Sequence, residues 1–264
     1  MSGVNGARQD QSVITVDRLS ARYGQDVILE GVSFEVHEGE ILVIAGGSGS
    51  GKSTLLRHMI GLSLTFSGKV VVDGVDITAA SEEELRRVRK GIGMLFQSSA
   101  LLGSMTVGEN IALPLLEFSD LPRSTVETMV RIKLAIVGLS GYEGHFPREL
   151  SGGMKKRAGI ARAMALDPHV LFLDEPFAGL DPITSAELDQ LILTINREMG
   201  TTMVIVSHEL DSIFEIARRI VLLDKDKKGI IAEGDPRVLR ERSPDPHVRR
   251  FLNRHIEEEG TREG

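Results

Sequence analysis

The residues best able to do chemistry are Gly46-Gly47-Ser48-Gly49-Ser50-Gly51-Lys52-Ser53, which match the phosphate-binding pattern G-x-x-x-x-G-K-[ST]. Glycines at this spacing let backbone N–H groups turn inward around a phosphate, where side chains would block the turn or the approach. Lys52 then supplies a mobile positive charge for the outer phosphates of a nucleoside triphosphate. The Ser53 hydroxyl is a ligand for Mg²⁺, with Thr54 behind it. A Gly/Ser-rich linker would share this composition. A linker, however, has no reason to sit between the buried apolar run Ile41-Leu42-Val43-Ile44-Ala45 and the amphipathic stretch that starts at Ser53.

Further positions fit the same chemistry. Asp174 and Glu175 follow the apolar run Val170-Leu171-Phe172-Leu173, at the carboxyl end of a strand, where open α/β sheets bind ligands. Asp174 can hold Mg²⁺ through its water shell, and Glu175 can orient or deprotonate an attacking water. Two carboxylates there could equally cap a loop; beside a phosphate loop the functional reading prevails. His208 follows a second buried strand and is expected on the same sheet edge as Lys52 and Glu175, as a sensor of the γ-phosphate. Gln97, ending a third strand, is a candidate for Mg²⁺ or its water. Ser151-Gly152-Gly153 can form an anion site at a helix start, a weak signal by itself.

These residues need a frame of strands and helices. Residues 13–16, 19–23, 27–29 and 32–36 read as antiparallel strands with turns at residues 24–26 and 37–40, forming a small β layer ahead of the phosphate loop. Residues 68–74 read as strand and turn, Ser81-Glu82-Glu83-Glu84 as a capping-box helix start, and residues 92–97 as a short strand. From Ser98 to about Leu166 strand signals stop. Capping boxes at Thr106–Glu109 and at residues 124–127, with Ser151 as a third cap, predict an inserted helical subdomain. Strands return at residues 170–174 and 202–206, with Asp181-Pro182 opening a helix that carries Leu188, Leu191, Ile192 and Ile195 on one side. Strand and helix in alternation imply a mainly parallel sheet wrapped by helices. A hairpin of residues 220–223 and 229–232 closes the core, and no internal repeat is seen.

Beyond it, Asp235-Pro236 can open a short helix that Pro244 and Pro246 interrupt. A second helix then places Val248, Phe251, Leu252 and Ile256 on one apolar face, for packing on its own domain or on another subunit. The organisation expected is a flexible tail (1–12), one ATPase domain (13–235) with a helical subdomain (about 98–166), and a C-terminal helical extension with a disordered end (236–264).

Composition narrows the classes. The 264 residues are 41% hydrophobic and 26% charged, ordinary for a soluble globular chain, and the net charge of −7 gives no electrostatic footprint for nucleic acid. With no cysteine, neither a disulfide framework nor a thiolate metal site exists. The N-terminus lacks the apolar core of a signal peptide, and no apolar run approaches the roughly 20 residues needed to cross a bilayer. No N-K-x-D motif supports guanine reading.

In order and spacing the motifs resemble the nucleotide-binding subunit of an ATP-binding cassette (ABC) transporter, over about Val13 to Gly234. The resemblance covers the phosphate loop (Walker A), the Walker B stretch from Leu171 to Glu175 and the Q-loop glutamine Gln97. It also covers the signature Leu150-Ser151-Gly152-Gly153-Met154, the D-loop Ala178-Gly179-Leu180-Asp181 and the switch histidine His208. It implies the P-loop ABC-ATPase fold, ATP and Mg²⁺ as ligands, and two subunits sandwiching two ATP molecules head to tail. Ser151 of one subunit would then face the γ-phosphate held by the Lys52 loop of the other. Tyr23 matches the family's adenine-stacking aromatic, the other reading being a strand-end core residue.

Residues 93–115, 174–184 and 244–252 are similar to the ATPases paired with MCE (mammalian cell entry) proteins in lipid transporters of the Mla type, with Ser50 where those often carry Cys. That implies a membrane permease, an MCE-domain protein and a small STAS-domain regulator as partners, and a peripheral place on the cytoplasmic face of the inner membrane. The other readings are an ABC ATPase for a polar solute such as an amino acid, and a non-transport ABC protein acting on nucleic acid or ribosomes. Nothing in the chain reads out the transported substrate.

Overall fold

A computed structural model describes residues 12–63 and 67–253. The chain opens with an antiparallel pair, β1 (Ser12–Tyr23) and β2 (Asp26–His37), joined by a tight turn. Alternation of buried and exposed side chains, such as Phe34 and Val36 against Ser33 and Glu35, sets one face toward the core. Ser12 already pairs with His37, one residue ahead of the expected domain start; the remainder of the expected tail lies outside the described residues. With β4 (Ser67–Val72) and β5 (Val75–Asp76) these strands form an antiparallel sheet of order β2-β1-β4-β5.

The second sheet carries the site. It contains β3 (Ile41–Gly46), β6 (Ile92–Leu95), β7 (Val170–Asp174), β8 (Thr202–Ser207), β9 (Arg219–Asp224) and β10 (Gly229–Gly234) in the order β10-β9-β3-β8-β7-β6. All its pairings are parallel except β9 with β10. Strands β3, β7 and β8 are buried throughout, which explains their unbroken apolar runs. β6 ends at Leu95, so Gln97 stands in the following loop rather than on the strand.

Around this sheet lie α1 (Lys52–Met59), α2 (Glu82–Lys90), α3 (Val107–Phe118), α4 (Arg123–Ile136), α5 (Gly152–Ala163), α6 (Pro182–Met199) and α7 (Leu210–Ile216). Ser81 and Thr106 close true capping boxes with Glu84 and Glu109, and Ser151 and Asp181 cap α5 and α6. The box expected at Ser124 is absent. α4 begins at Arg123 behind Pro122, whose carbonyl accepts from the Thr125 and Val126 N–H groups, so Ser124 lies inside the first turn. Proline's fixed φ, −59° here, suits a helix entry and starts the helix two residues early.

The described residues end with α8 (Pro236–Arg242), capped by Asp235, and α9 (Pro246–Asn253). Val248 and Leu252 are buried in the larger core and Phe251 packs against it, so this face packs on its own domain; Ile256 lies outside the described residues.

Candidate active site

Four strands of the parallel sheet end at one edge, and the segments leaving them build a cavity of about 400 Å³. Its walls are residues 48–54 from the loop after β3 and the first turn of α1, Gln97 from the loop after β6, Glu175 after β7 and His208 after β8. Parallel strands in register must deliver their carboxyl ends to one side, which is why residues so far apart in the chain converge.

The phosphate loop depends on its glycines at two points in particular. Gly46 has φ +152°, and a Cβ there would lie 2.5 Å from both the Leu223 carbonyl and the Ser50 hydroxyl. Gly51 has φ +93°, and its Cβ would meet Leu29 at 2.7 Å. Gly51 is the N-cap of α1, so that helix presents its N-terminal end to the cavity. Ser50 is buried and its hydroxyl has no hydrogen-bond partner.

Lys52 Nζ donates to the carbonyls of Gly46 (2.9 Å) and Gly47 (3.0 Å) and lies 3.9 Å from Glu175 Oε1. Burial lowers its pKa, while the Glu175 and Asp174 carboxylates oppose the shift. A buried ammonium on such exchangeable carbonyl partners suits an anionic ligand. Ser53 Oγ donates to Asp174 Oδ1 at 3.2 Å, and burial raises the Asp174 pKa against that hydrogen bond. These two oxygens fit a small hard cation completed by phosphate oxygens and water. Among the described residues, no group of three His, Cys, Asp or Glu could hold a metal by itself.

Glu175 is buried and holds the left-handed conformation at φ +47°, costly for a residue with a Cβ. Its N–H donates to the Val206 carbonyl at 2.9 Å. Both carboxylate oxygens lie 2.9 Å from His208 Nδ1. A carboxylate fixed by an imidazole, beside a buried ammonium and the mouth of a phosphate cradle, can take a proton from water placed there.

The remaining expected residues lie outside this cavity's walls. Tyr23 is 54% exposed at the end of β1, which excludes a core role and leaves its ring face available for stacking. Ser151 is exposed and its hydroxyl accepts from the Met154 N–H. Asp181 accepts from the Ile183 and Thr184 N–H groups at 3.1 Å. Thr184 in turn packs where a Cβ on Gly153 would stand, so the starts of α5 and α6 meet there. A buried cation beside the site escapes a reading of motifs. Lys156, on α5, donates to the backbone carbonyls of Gln97 (2.6 Å) and Glu175 (2.9 Å). Its only sequence signal is a charge amid the small and apolar residues Gly153, Ala158, Gly159 and Ile160.

The model of the family described as "ABC transporter" matches residues 29–178. The chain is 42% identical over 240 residues to the probable ribonucleotide transport ATP-binding protein mkl of Mycobacterium tuberculosis, covering 91% of this chain and 66% of that one. It is 42% identical over 242 residues to the intermembrane phospholipid transport system ATP-binding protein MlaF of Escherichia coli, covering 92% and 89%. A dimeric ATP-binding cassette solved in a post-hydrolysis state with ADP and Pi superposes with a TM-score of 0.76 at 30% identity, covering 84% of this chain and 98% of that one.

Proposed function

This chain belongs to the ABC transporter family, and from that membership we propose that it binds and hydrolyses ATP as the motor subunit of a transporter that moves phospholipid between membranes. The observation that carries the ATPase reading is the convergence of Lys52, Glu175 and His208, from three separate strand ends, on one cavity walled by the phosphate loop. ATP phosphates in the cradle would draw the Lys52 ammonium away from the Gly46 and Gly47 carbonyls. Glu175 takes a proton from water as that water's oxygen bonds to the γ-phosphorus and the bond to the β–γ bridging oxygen breaks, releasing ADP and phosphate. His208 keeps the Glu175 carboxylate aimed. Ser53, Asp174 and Gln97 are the residues to hold Mg²⁺, which when bound neutralises charge on the transferring phosphoryl group.

Ser151 and its neighbours Gly152 and Gly153 lie apart from this cradle, which supports a second copy as their partner, as does the dimeric state of the solved relative. In that arrangement Ser151 and Asp181 serve the facing ATP, and Tyr23 stacks on adenine. Phospholipid as cargo is supported by MlaF, which the chain matches over 89% of its length. The ribonucleotide transport ascribed to mkl keeps a polar-solute transporter as the second reading. A permease partner is supported by a groove beside Gln97, where Phe96, Leu113 and Phe118 are flanked by the charged Arg89, Glu117 and Arg162. Apolar side chains of this kind suit a protein partner rather than nucleic acid. No helix of the described residues is long and apolar enough to cross a membrane. A peripheral position on the cytoplasmic face of the inner membrane, with MCE-domain and STAS-domain proteins in the complex, completes the proposal.

The test joins two variants. Glu175→Gln keeps shape and loses the base, so it should bind Mg-ATP, hydrolyse it at least about 100-fold more slowly and accumulate as dimers in light scattering. Adding Ser151→Arg should abolish that dimer while leaving single-site ATP binding. Near-normal hydrolysis by Glu175→Gln refutes the base; equal dimerisation of both forms removes Ser151 from the interface.

A further inference from the structure

Helix α5 touches the Gln97 loop along one stripe of residues at helical spacing. Lys156 donates to the Gln97 carbonyl, Gly159 would drive a Cβ to 2.5 Å from Leu95 Cδ1, and Arg162 donates to the carbonyls of Ala100 (2.7 Å) and Ser99 (2.9 Å). The clasped segment is strained: Ser99 and Ala100 have φ of +62° and +46°, a region that side chains other than glycine's rarely adopt. Strained backbone persists where its surroundings over-determine it. Arg162 does this for Ser99 and Ala100.

Lys156 reaches further than its stripe. Its second hydrogen bond goes to the carbonyl of Glu175, itself in the left-handed region at φ +47°. One ammonium, 5% exposed, therefore joins three things: the helix capped by Ser151, the loop bearing Gln97, and the backbone of the residue that faces the cradle. We propose that Lys156 is the positioning residue of the ATPase site, holding the Glu175 backbone and the Gln97 loop in one geometry and tying both to the helix that begins at Ser151. This rests on the reading of Glu175 as the base.

A neutral side chain could fill the space, but two carbonyls converging on one point need a donor pointing at each. Burial lowers the Lys156 pKa, and the Asp174 and Glu175 carboxylates work against that shift. Lys156 does not line the cavity, so its loss should leave ATP affinity alone. The consequence falls on the chemical step, because a small displacement of a catalytic group is costly in rate.

The experiment compares Lys156→Met and Lys156→Arg with the wild-type full chain, reading kcat, KM and the affinity for a fluorescent ATP analogue, with thermal unfolding alongside. In Lys156→Met, kcat should fall at least about tenfold while nucleotide affinity stays within about twofold. Lys156→Arg, which keeps two donors in a fork, should recover most of the loss. Mg-ATP should dimerise Glu175→Gln and Glu175→Gln with Lys156→Met alike. A Met variant with normal kcat overturns the proposal; so does a loss of affinity and kcat together that Arg fails to rescue. Should the Met variant not fold, Lys156→Leu, which likewise offers no donor, replaces it, and normal kcat there is equally fatal. Hydrolysis by Glu175→Gln at the wild-type rate would instead refute the base itself, whatever Lys156 does.

Discussion

Asp189 shows what one buried carboxyl costs. It projects from α6 toward α7, where Ser212 Oγ donates to Oδ2 at 3.1 Å, while Oδ1 has no hydrogen-bond partner. Burial pushes its pKa up to about 6, and the Glu215 and Asp211 carboxylates add to the shift. The folded chain therefore binds this proton more tightly than the unfolded chain does. The stability it contributes is full below the unfolded pKa and is lost as pH rises through about 6. Asp189→Asn, which cannot ionise, should gain on wild type between pH 4 and pH 8 by on the order of 2 kcal/mol, read from urea midpoints across that range. A constant difference would mean that Asp189 is solvated. At this scale Lys52, Asp174, Glu175 and His208 were legible because each follows a buried strand. Lys156 was not, because its partners are backbone carbonyls distant in the chain, which no side-chain motif records.

Elements were legible wherever their boundary is local. Capping boxes at Ser81 and Thr106, and caps at Ser151, Asp181 and Asp235, are hydrogen bonds between residues two or three apart, so the residue types alone announce them. Ser124 has the same pattern and fails because Pro122 supplies an earlier start. Packing between elements is less visible. Gly93 in β6 lies against the end of α5: a Cβ there would collide with the Ala163 carbonyl oxygen and approach Leu171 Cδ2 to 2.5 Å. The first obstacle is backbone, which cannot rotate away, so strand and helix would have to separate. Gly93→Ala should cost about 1–3 kcal/mol in denaturant unfolding. An unchanged midpoint would show that the helix has room to move.

At the scale of the molecule, α9 belongs to the core it was expected to join or to leave. Val248 is fully buried and Leu252 nearly so, and the Asp235 cap holds α8 in place before them. Truncation after Ser243 removes both side chains and should lower stability by roughly 2–5 kcal/mol, seen as a drop in melting temperature of the isolated chain. A truncated chain that melts like wild type but fails to assemble would return this face to the interface reading.

The sequence alone determined the phosphate chemistry, most of the strands and helices and the likeness to ABC ATPases, because these follow from short spacings and from periodicity along the chain; α7 and the continuity of β1 and β2 were not read from it. Tertiary structure decided which residues share a cavity, why Ser151 and Asp181 do not, that Tyr23 is exposed, and that one ammonium serves Gln97 and Glu175 together. The physical reason is range. A cap or a glycine loop closes within a few residues, whereas the register of parallel strands and the packing of α5 on them join segments far apart in the chain, from Val170 opposite Thr202 to Ile41 opposite Met203, through contacts whose identity depends on the whole fold.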